Sequence, residues 1–412
     1  MDREFDAIII GAGPAGASTA ILLARAGWRV AVVEKAADPH RNVSGECIAA
    51  GNFPLLAALG VGDAVGHFAG PPLRRVAVMH GERTISAELP RFAAGGAPWG
   101  RALGREHLDA LLLDQARRAG ATVLQPWAAR TVRSEPGHVS CGIAEVHSAV
   151  RATLTAPVLV AAHGSWETAP GAYDWAPEVQ QGSDLFAFKA SFRHVGLDAG
   201  LLPVMCFGDG YGGMVPAGDA TATVAFCMRR DRLAACRKAL PDRRAAEAAL
   251  AYVTHACAGT RRMLQGAEQQ GPWLSAGPIR PGIRIARQGS RCFLVGNAAG
   301  EAHPIIGEGM SMAIQSAWML AQRLIRHGRQ AAREESLTLL QRDYARAWRR
   351  SFAPRIRLAS LFAHLAMHPR LAGCAAPVIE RFPQLLTHAA RWSGKDNAVT
   401  LQPTALPLTA AG

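Results

Sequence analysis

Glycines and a carboxylate near the start of the chain have the types and spacing that bind a nucleotide. Gly11, Gly13 and Gly16 follow one apolar run, and Glu34 follows a second. In such a frame the glycines allow a tight turn, backbone approach to a pyrophosphate and close helix packing, and the acid accepts hydrogen bonds from ribose hydroxyls. The helix start also offers unpaired N–H groups to phosphate. We predict dinucleotide contacts at Gly11, Gly13, Pro14, Ala15, Gly16, Glu34 and Lys35.

A second loop of small residues, over 294–310, has a backbone bare enough to lie flat against a ring system. It contains Gly296-Asn297, His303-Pro304 and Gly307-Glu308-Gly309, with a helix predicted from Gly309. N–H groups at that helix start can stabilise a negative charge on a bound ring. The predicted ring contacts are Gly296, Asn297, Pro304, Gly307, Gly309 and Met310.

Two side chains in polar glycine loops are candidates for proton transfer. His303 is an acid or base suited to neutral pH, and Cys47 is a proton donor. The alternatives stay open: a loop histidine bonded to backbone, and a thiol packed beneath a ring. Glu46 orients its loop, Glu308 caps a helix, and Tyr211 either bonds a substrate or completes a strand.

These residues need strands and helices that bring them together. Ala7–Ile10, a helix through Arg25 and Val30–Val33 form a strand–helix–strand unit, and residues 184–228 alternate as a second sheet. Residues 231–265 are predicted to be rich in helix. The remainder beyond 326 is predicted to be largely helical, with breaks at Pro354, Pro369, Pro377 and Pro383.

The composition indicates a globular chain. It has 412 residues, of which 49% are hydrophobic and 19% charged. Eight cysteines without a CxxC pair give no zinc pattern, so no metal is expected. A strand that starts at Phe5 leaves no room for a signal peptide, and we find no apolar stretch of 18 residues. We expect a cytoplasmic protein.

Positive charge is concentrated towards the end of the chain. The net charge is +13, and residues 321–395 contain 14 Lys/Arg and 4 Asp/Glu. This excess favours an acidic protein partner or peripheral contact with an anionic membrane; without a nucleic-acid-binding motif it does not indicate nucleic acid. The apolar stripe in 356–366 either covers a cavity, rests on a membrane or packs on the main body.

The two loops together resemble a flavoprotein superfamily: p-hydroxybenzoate-hydroxylase-type monooxygenases, geranylgeranyl reductases and flavin-dependent halogenases. That family's second motif reads GDAAG…P…GEG, with Asn297 here in place of the acid. Arg105 opens a match to the family's RxxLD helix start and would contact the phosphate or ribityl chain. The resemblance implies FAD and an α/β fold, in which a Rossmann-like FAD-binding domain is interrupted by a substrate-binding β-sheet domain and followed by a helical C-terminal segment.

On this basis we divide the chain into six parts. The FAD-binding domain takes 1–75, 101–182 and 286–350, the substrate domain takes 76–100 and 183–285, and the C-terminal segment is 351–412.

Two departures from the family bear on the reaction. Monooxygenases carry an Asp-Gly motif where this chain has His163-Gly164. We therefore expect reduction by transient NAD(P)H or by a separate reductase. The chain has no WxWxIP motif, which argues against halogenation.

Two local features resemble the geranylgeranyl reductases most. Gly45-Glu46-Cys47, which follows Ser44, matches a loop near the flavin ring, and 210–216 matches a strand that lines the substrate cavity. The resemblance implies flavin contacts at Glu46 and Cys47. It also implies an apolar substrate bound by Tyr211, Met214 and Pro216.

These features predict an FAD-dependent oxidoreductase. Of the candidate reactions we favour, by a small margin, hydroxylation of a bulky apolar substrate (polyketide-, quinone- or isoprenoid-like) through a flavin C4a-hydroperoxide. Reduction of an isoprenoid double bond is the alternative. A further alternative is a flavoprotein that modifies a partner protein, or that uses FAD only for structure or sensing.

Overall fold

The computed structural model describes residues 2–38, 43, 45–93, 97–165, 181–217, 221–284, 290–328 and 334–395. Ser44 and the end of the predicted C-terminal segment lie outside them. The strands are β1 (Asp2–Glu4), β2 (Ala7–Ile10), β3 (Val30–Val33), β4 (Cys47–Ile48), β5 (Arg75–His80), β6 (Arg83–Glu88), β7 (Arg101–Ala102), β8 (Thr122–Leu124), β9 (Trp127–Glu135), β10 (His138–Glu145), β11 (Arg151–Ala156), β12 (Val158–Ala161), β13 (Leu185–Arg193), β14 (Leu201–Phe207), β15 (Gly210–Pro216), β16 (Thr221–Arg229), β17 (Glu268–Ile279), β18 (Gly282–Ile283), β19 (Cys292–Leu294) and β20 (Gly300–Glu301).

Helices connect and cover these strands. They are α1 (Pro14–Arg25), α2 (Phe53–Ala58), α3 (Gly62–Phe68), α4 (Arg105–Arg118), α5 (Arg230–Ala239), α6 (Ala245–Ala256), α7 (Ala258–Met263), α8 (Gly309–His327), α9 (Glu334–Met367), α10 (Pro369–Arg381) and α11 (Gln384–Ala390).

A parallel sheet in the order β19-β12-β2-β3-β8 forms the centre of the FAD-binding part. Its β2, β3 and β12 are buried at every position, as expected for a parallel sheet covered on both faces. Helix α1 packs against both α4 and α8, while the sheet β1-β11-β10-β9 contributes Cys141, Ile143 and Leu154 to the same core. The carboxyl ends of the parallel strands therefore bring distant loops to one edge.

A second sheet, in the order β17-β13-β16-β15-β14-β5-β6, stands beside the first. Side chains of one face, including Phe188, Phe226 and Met214, form a core with α6. The other face carries the residues of the alternate positions, among them Lys189, Tyr211 and Ala225, because successive side chains in a strand point to opposite sides. This second face is directed at the predicted site.

The C-terminal part is helical as predicted, but two of the predicted breaks are wrong. Helix α9 runs through Pro354, and α10 runs through Pro377. Both prolines are exposed, while Phe352, Ile356 and Ala376 beside them are buried. Tertiary packing on either side of Pro354 outweighs the one hydrogen bond that it removes. Pro369 and Pro383 do stand at helix starts.

The apolar stripe in 356–366 belongs to the buried side of α9. Ile356 and Ala359 pack into the core of the FAD-binding part, and Ala363 and Ala366 pack beside Tyr211. Among the residues that the structure describes, none of the helices combines the length and the apolar character needed to span a bilayer.

Candidate functional site

The first glycine turn has a geometry that only glycine fits. Gly11 has φ +99°, where an L side chain is strained, and a Cβ on Gly16 would stand 1.9 Å from the carbonyl oxygen of Gly11. A Cβ on Gly13, by contrast, would meet only the Arg105 guanidinium, at 3.7 Å. Gly11 and Gly16 are thus required by the protein's own packing, whereas Gly13 leaves an open surface above the turn.

Glu34 is held where a ribose would be recognised. Its carboxylate accepts the N–H of Ala12 and the N–H of Ala36, each at 2.8 Å. One bond reaches the glycine turn and the other the backbone that follows β3, so the carboxylate is fixed between the two segments of the predicted nucleotide site.

Arg105 opens α4 beside the same turn. Its guanidinium donates to both oxygens of Asp109, at 3.0 and 2.8 Å, and the side chain is 9% exposed. This bidentate pair fixes the guanidinium close to Gly13. The location agrees with the predicted contact to a phosphate or ribityl group.

The start of α8 forms the second half of the predicted binding site for the nucleotide and its ring. Gly307 has φ +61° directly before the helix, and Gly296 has φ +59°, with its Cβ position 2.9 Å from Ala15 of the first turn. The two loops are thus packed together, and the N–H groups at the start of α8 point into the space beside them. These glycines and the bare turn fit an FAD, whose pyrophosphate and ring require such close backbone approach.

A buried polar network lies behind the start of α8. Glu308 is fully buried, and its carboxylate is 3.7 Å from the guanidinium of Arg355 on α9. Arg355 also donates to Gln315 at 2.9 Å, Gln315 donates to Asn52 at 3.0 Å, and Asn52 donates to Ser311 at 2.8 Å. The sequence pointed to Glu308 alone, because Arg355 is distant in the chain and lies in a helix rich in arginine.

Asn297 takes part in a second polar cluster. Its amide donates to the hydroxyl of Ser165 at 2.8 Å, and Ser165 donates to Glu301 at 2.8 Å. Glu301 pairs with Arg284 at 3.3 Å, and burial raises the pKa of Glu301. Neither Glu301 nor Arg284 was predicted, since no motif marks them.

His163 stands where the family has an acid. It follows β12 at the edge of the cavity, and burial, assisted by the charge of Arg284, lowers its pKa to about 4. The ring is therefore neutral at pH 7, so this position offers no negative charge.

His303 and Tyr211 form a pair that joins the ring loop to the second sheet. The Tyr211 hydroxyl and His303 Nδ1 are hydrogen-bonded at 3.0 Å. Burial lowers the pKa of His303 to about 4 and raises that of Tyr211 well above its ordinary value. The expectation that His303 titrates near neutral pH is wrong, because burial disfavours its charged form. Its catalytic role remains a prediction.

Glu46 is paired with a lysine that the sequence did not single out. Lys189 Nζ and Glu46 Oε1 are 2.6 Å apart, and the side chains are 5 and 7% exposed. Glu46 belongs to the loop before β4 and Lys189 to β13, so the ion pair joins the FAD-binding part to the second sheet. Cys47, next to Glu46, is buried in a small apolar cluster with Leu73.

One cavity of about 780 Å³ connects all these features. It extends from the first glycine turn, past the start of α8, to the second sheet. Of the predicted residues, those that line it are Gly11, Gly13, Pro14, Ala15, Glu34, Lys35, Glu46, Cys47, Arg105, Gly296, Asn297, Pro304, Gly307, Gly309, Met310, Tyr211 and Met214.

Three predicted residues are not among the described lining residues: Gly16, His303 and Pro216. Gly16 acts through packing, and His303 lies behind Tyr211. Pro216 ends β15, where its carbonyl faces Gly70, and its contact with a substrate stays a prediction. Met214 borders the cavity, but its side chain packs in the core on the far side of the sheet. The alternate position, Val215, also lines the cavity.

The comparisons with known proteins agree with this geometry. Residues 4–350 match the family described as FAD binding domain. A menaquinone reductase of Mycolicibacterium smegmatis is 27% identical, over 97% of this chain and 93% of its own length. Aklavinone 12-hydroxylase RdmE of Streptomyces purpurascens is 33% identical, over 30% of this chain and 25% of its own length. The myxobacterial chondrochloren halogenase CndH is similar in structure, with a TM-score of 0.75 and 20% identity, over 94% of this chain and 91% of its own.

Proposed function

The chain belongs to the FAD binding domain family and is an FAD-dependent oxidoreductase, and we propose that it reduces an isoprenoid double bond of a bulky apolar substrate such as a prenylated quinone. Electrons would come from transient NAD(P)H or from a separate reductase. The neutral His163 in place of the family's acid supports a reductant that is not held in the usual manner.

The observation that carries the proposal is the composition of the cavity at the second sheet. There the wall is formed mainly by apolar residues, including Leu202, Val204 and Val215, with polar groups that include Tyr211 and the Lys189–Glu46 ion pair. An apolar wall with few polar groups suits a hydrophobic ligand that has one or two oxygen atoms. The similarity to a menaquinone reductase over nearly the whole of both chains supports the same substrate class.

Reduced FAD, held by the two glycine loops and Arg105, would supply hydride chemistry for one carbon of the double bond, and a proton would have to reach the other carbon. Cys47 lines the cavity and is the proton donor in this proposal. Tyr211 would orient the substrate, because His303 holds its hydroxyl at 3.0 Å. The apolar wall excludes water from the double bond.

Hydroxylation of a similarly bulky substrate is the second candidate. It is favoured by the Tyr211 hydroxyl, which His303 holds at 3.0 Å and which can form a hydrogen bond with a phenol. The similarity to a hydroxylase supports it less, since the match covers 30% of this chain.

The two reactions differ in what they add to the substrate. The FAD-loaded protein is reduced anaerobically and mixed with a prenylated naphthoquinone, first without oxygen and then with it. We expect a product that, after its ring has reoxidised in air, retains two additional hydrogen atoms by mass spectrometry. A product that gains one oxygen, with a transient absorbance unlike either oxidised or reduced flavin, would establish hydroxylation instead.

A matched pair of cysteine variants tests the proton donor. Cys47→Ser should slow the gain of two hydrogen atoms by the prenyl chain, followed by mass spectrometry after the ring has reoxidised, by about tenfold or more, as is typical for loss of a general acid. Cys141→Ser, at a buried cysteine of β10 remote from the cavity lining, should leave the rate unchanged. Equal rates in the two variants would remove Cys47 from the mechanism.

A further inference from the structure

Three large apolar side chains, on helix α10 and at its C-terminal cap, face outward. Leu371, Val378 and Phe382 are 41, 53 and 52% exposed, and helical spacing places them on one face together with the exposed Cys374. The face that packs on the protein has the half-buried Ile379 and small residues such as the buried Ala376. A helix that only covered the protein would bury its larger apolar groups, because the gain from burial grows with apolar area. The exposure of these three side chains indicates that the outer face of α10 contacts a second apolar partner.

The exposed apolar residues continue on the neighbouring helices. Leu361 of α9 is 53% exposed, Leu385 of α11 is 44% exposed, and Trp392 beyond α11 is 68% exposed. Helix α10 packs against both α9 and α11. We call Leu361, Leu371, Val378, Phe382, Leu385 and Trp392 the C-terminal apolar surface.

Arginines border this surface. Arg370 and Arg381 are exposed and lie about three turns apart, so they project from the same flank of α10. Arg391, next to Trp392, is also exposed. The acidic residue of α10, Glu380, lies 3.5 Å from Arg83 of β6 and is directed away from that flank. An apolar stripe with basic residues along its side is typical of helices that lie in the interface of an anionic bilayer.

We propose that the C-terminal apolar surface docks on a lipid bilayer that contains anionic lipids. The apolar side chains enter the boundary between headgroups and acyl chains, and Arg370, Arg381 and Arg391 remain at the headgroups. Trp392 suits the same boundary, because its ring is apolar and its N–H is polar. An acidic protein would be attracted by the arginines but would not require so large an apolar stripe.

The helices that carry this surface also form part of the surroundings of the cavity. Leu386 and Ala390 of α11 pack against the apolar cluster that contains Cys47, and Ala363 and Ala366 of α9 belong to the cluster that contains Tyr211. Docking would therefore bring the cavity wall close to the membrane, where a hydrophobic substrate is stored. The docking itself goes beyond the proposed function and does not depend on it.

Flotation with vesicles tests the proposal on the FAD-loaded full chain. We expect the protein to float with phosphatidylcholine vesicles that contain phosphatidylglycerol, and far less with phosphatidylcholine alone. The double variant Val378→Gln/Phe382→Gln should lower the partition coefficient by tenfold or more. Leu339→Gln, at a residue of α9 outside this surface that is 64% exposed, is the matched control and should float like the parent. Arg370→Gln/Arg381→Gln should weaken binding and reduce its dependence on salt.

Cys374 allows the contact to be observed directly. It is exposed and lies on the outer face of α10, whereas the other seven cysteines are buried. A polarity-sensitive fluorophore on Cys374 should shift to shorter wavelength when anionic vesicles are added. The same fluorophore on Cys374→Ser/Leu339→Cys should not shift.

The proposal fails if the parent does not float with anionic vesicles, or if Val378→Gln/Phe382→Gln floats equally well with its FAD retained. It also fails if that variant changes only the oligomeric state in gel filtration, since the surface would then be a contact between two copies of the chain. The proposal is supported if Val378→Gln/Phe382→Gln loses both the fluorophore shift and flotation while its FAD content is unchanged.

Discussion

The glycines of the first turn have different tasks, as the motif predicts. Gly16 has no room for a Cβ inside the protein, while Gly13 has room but borders the cavity. The motif predicted that both matter for the nucleotide. The structure separates a glycine required by the fold from one required by the ligand.

Alanine at these two positions should therefore give opposite phenotypes. Gly16→Ala should lower the stability of the protein without FAD by about 1–3 kcal/mol, since an added methyl must displace packed atoms. Gly13→Ala should leave that stability nearly unchanged but weaken FAD binding by tenfold or more. Thermal unfolding of the apoprotein and titration with FAD measure the two effects; equal stability losses would contradict this assignment.

The buried histidines should make the protein less stable in mild acid. The pKa of His303 and that of His163 fall from 6.5 to about 4 on folding. The unfolded chain therefore binds more protons between about pH 6.5 and pH 4, so stability decreases as the pH falls through this range. The full loss approaches about 3 kcal/mol for each histidine at the acid end.

A glutamine at position 303 isolates one of these contributions. His303→Gln should flatten the dependence of the unfolding free energy on pH between 7 and 4.5, because glutamine does not titrate. His147→Gln, at an exposed histidine, serves as the control and should retain the slope. Urea unfolding at several pH values measures the dependence of the unfolding free energy on pH. If this dependence is unchanged in His303→Gln, His303 is not buried in its neutral form.

At the scale of the elements, α9 does more than cover the fold. Its Arg355 reaches the start of α8, where it faces the fully buried Glu308. Removing one member of a buried ion pair leaves the other charge uncompensated, which costs far more than removing both.

This reasoning predicts the outcome of a double-variant experiment. Arg355→Met should lower the unfolding free energy by about 3–5 kcal/mol. Arg355→Met/Glu308→Gln should recover most of that loss, and Arg357→Met, at an exposed position of the same helix, should have little effect. Denaturant unfolding of the three variants checks it; a double variant as unstable as Arg355→Met alone would show that Glu308 does not depend on the arginine.

The elements themselves were largely predictable from the sequence. Gly11 to Glu34 and the loop before α8 have strong local signals, since each combines a strand, a glycine turn and a helix start. The course of α9 through Pro354 was not predictable, because it depends on packing against residues far away in the chain. For the same reason no pattern could indicate that three large apolar side chains, on α10 and at its C-terminal cap, face outward.

At the scale of the whole molecule, the two sheets meet around the cavity. The ion pair between Lys189 and Glu46 crosses this junction while it lines the cavity. Sequence motifs marked Glu46 but not Lys189, because only the folded chain brings them together. The family resemblance predicted that 210–216 lines the substrate cavity, but not a charge in its wall.

Lys189 should contribute to the recognition of oxygen atoms on a substrate. Lys189→Met should weaken the binding of a naphthoquinone by about tenfold, since a hydrogen bond from a charged group contributes about 1.5–3 kcal/mol. Binding of a naphthalene of similar size, which has no oxygen, should change little. Flavin absorbance titrations give both dissociation constants; equal weakening of the two ligands would assign Lys189 to structure alone.

The order of strands in the parallel sheet also has a consequence for biosynthesis. The edge strand β19 and the loop before α8 come from residues 292–309, yet they pair and pack with β12 and α1, which leave the ribosome much earlier. A nascent chain therefore displays its nucleotide fingerprint long before it can enclose a flavin. Cofactor loading must wait until residues 292–309 have been translated, so the supply of free FAD should affect folding steps that follow their synthesis rather than earlier ones.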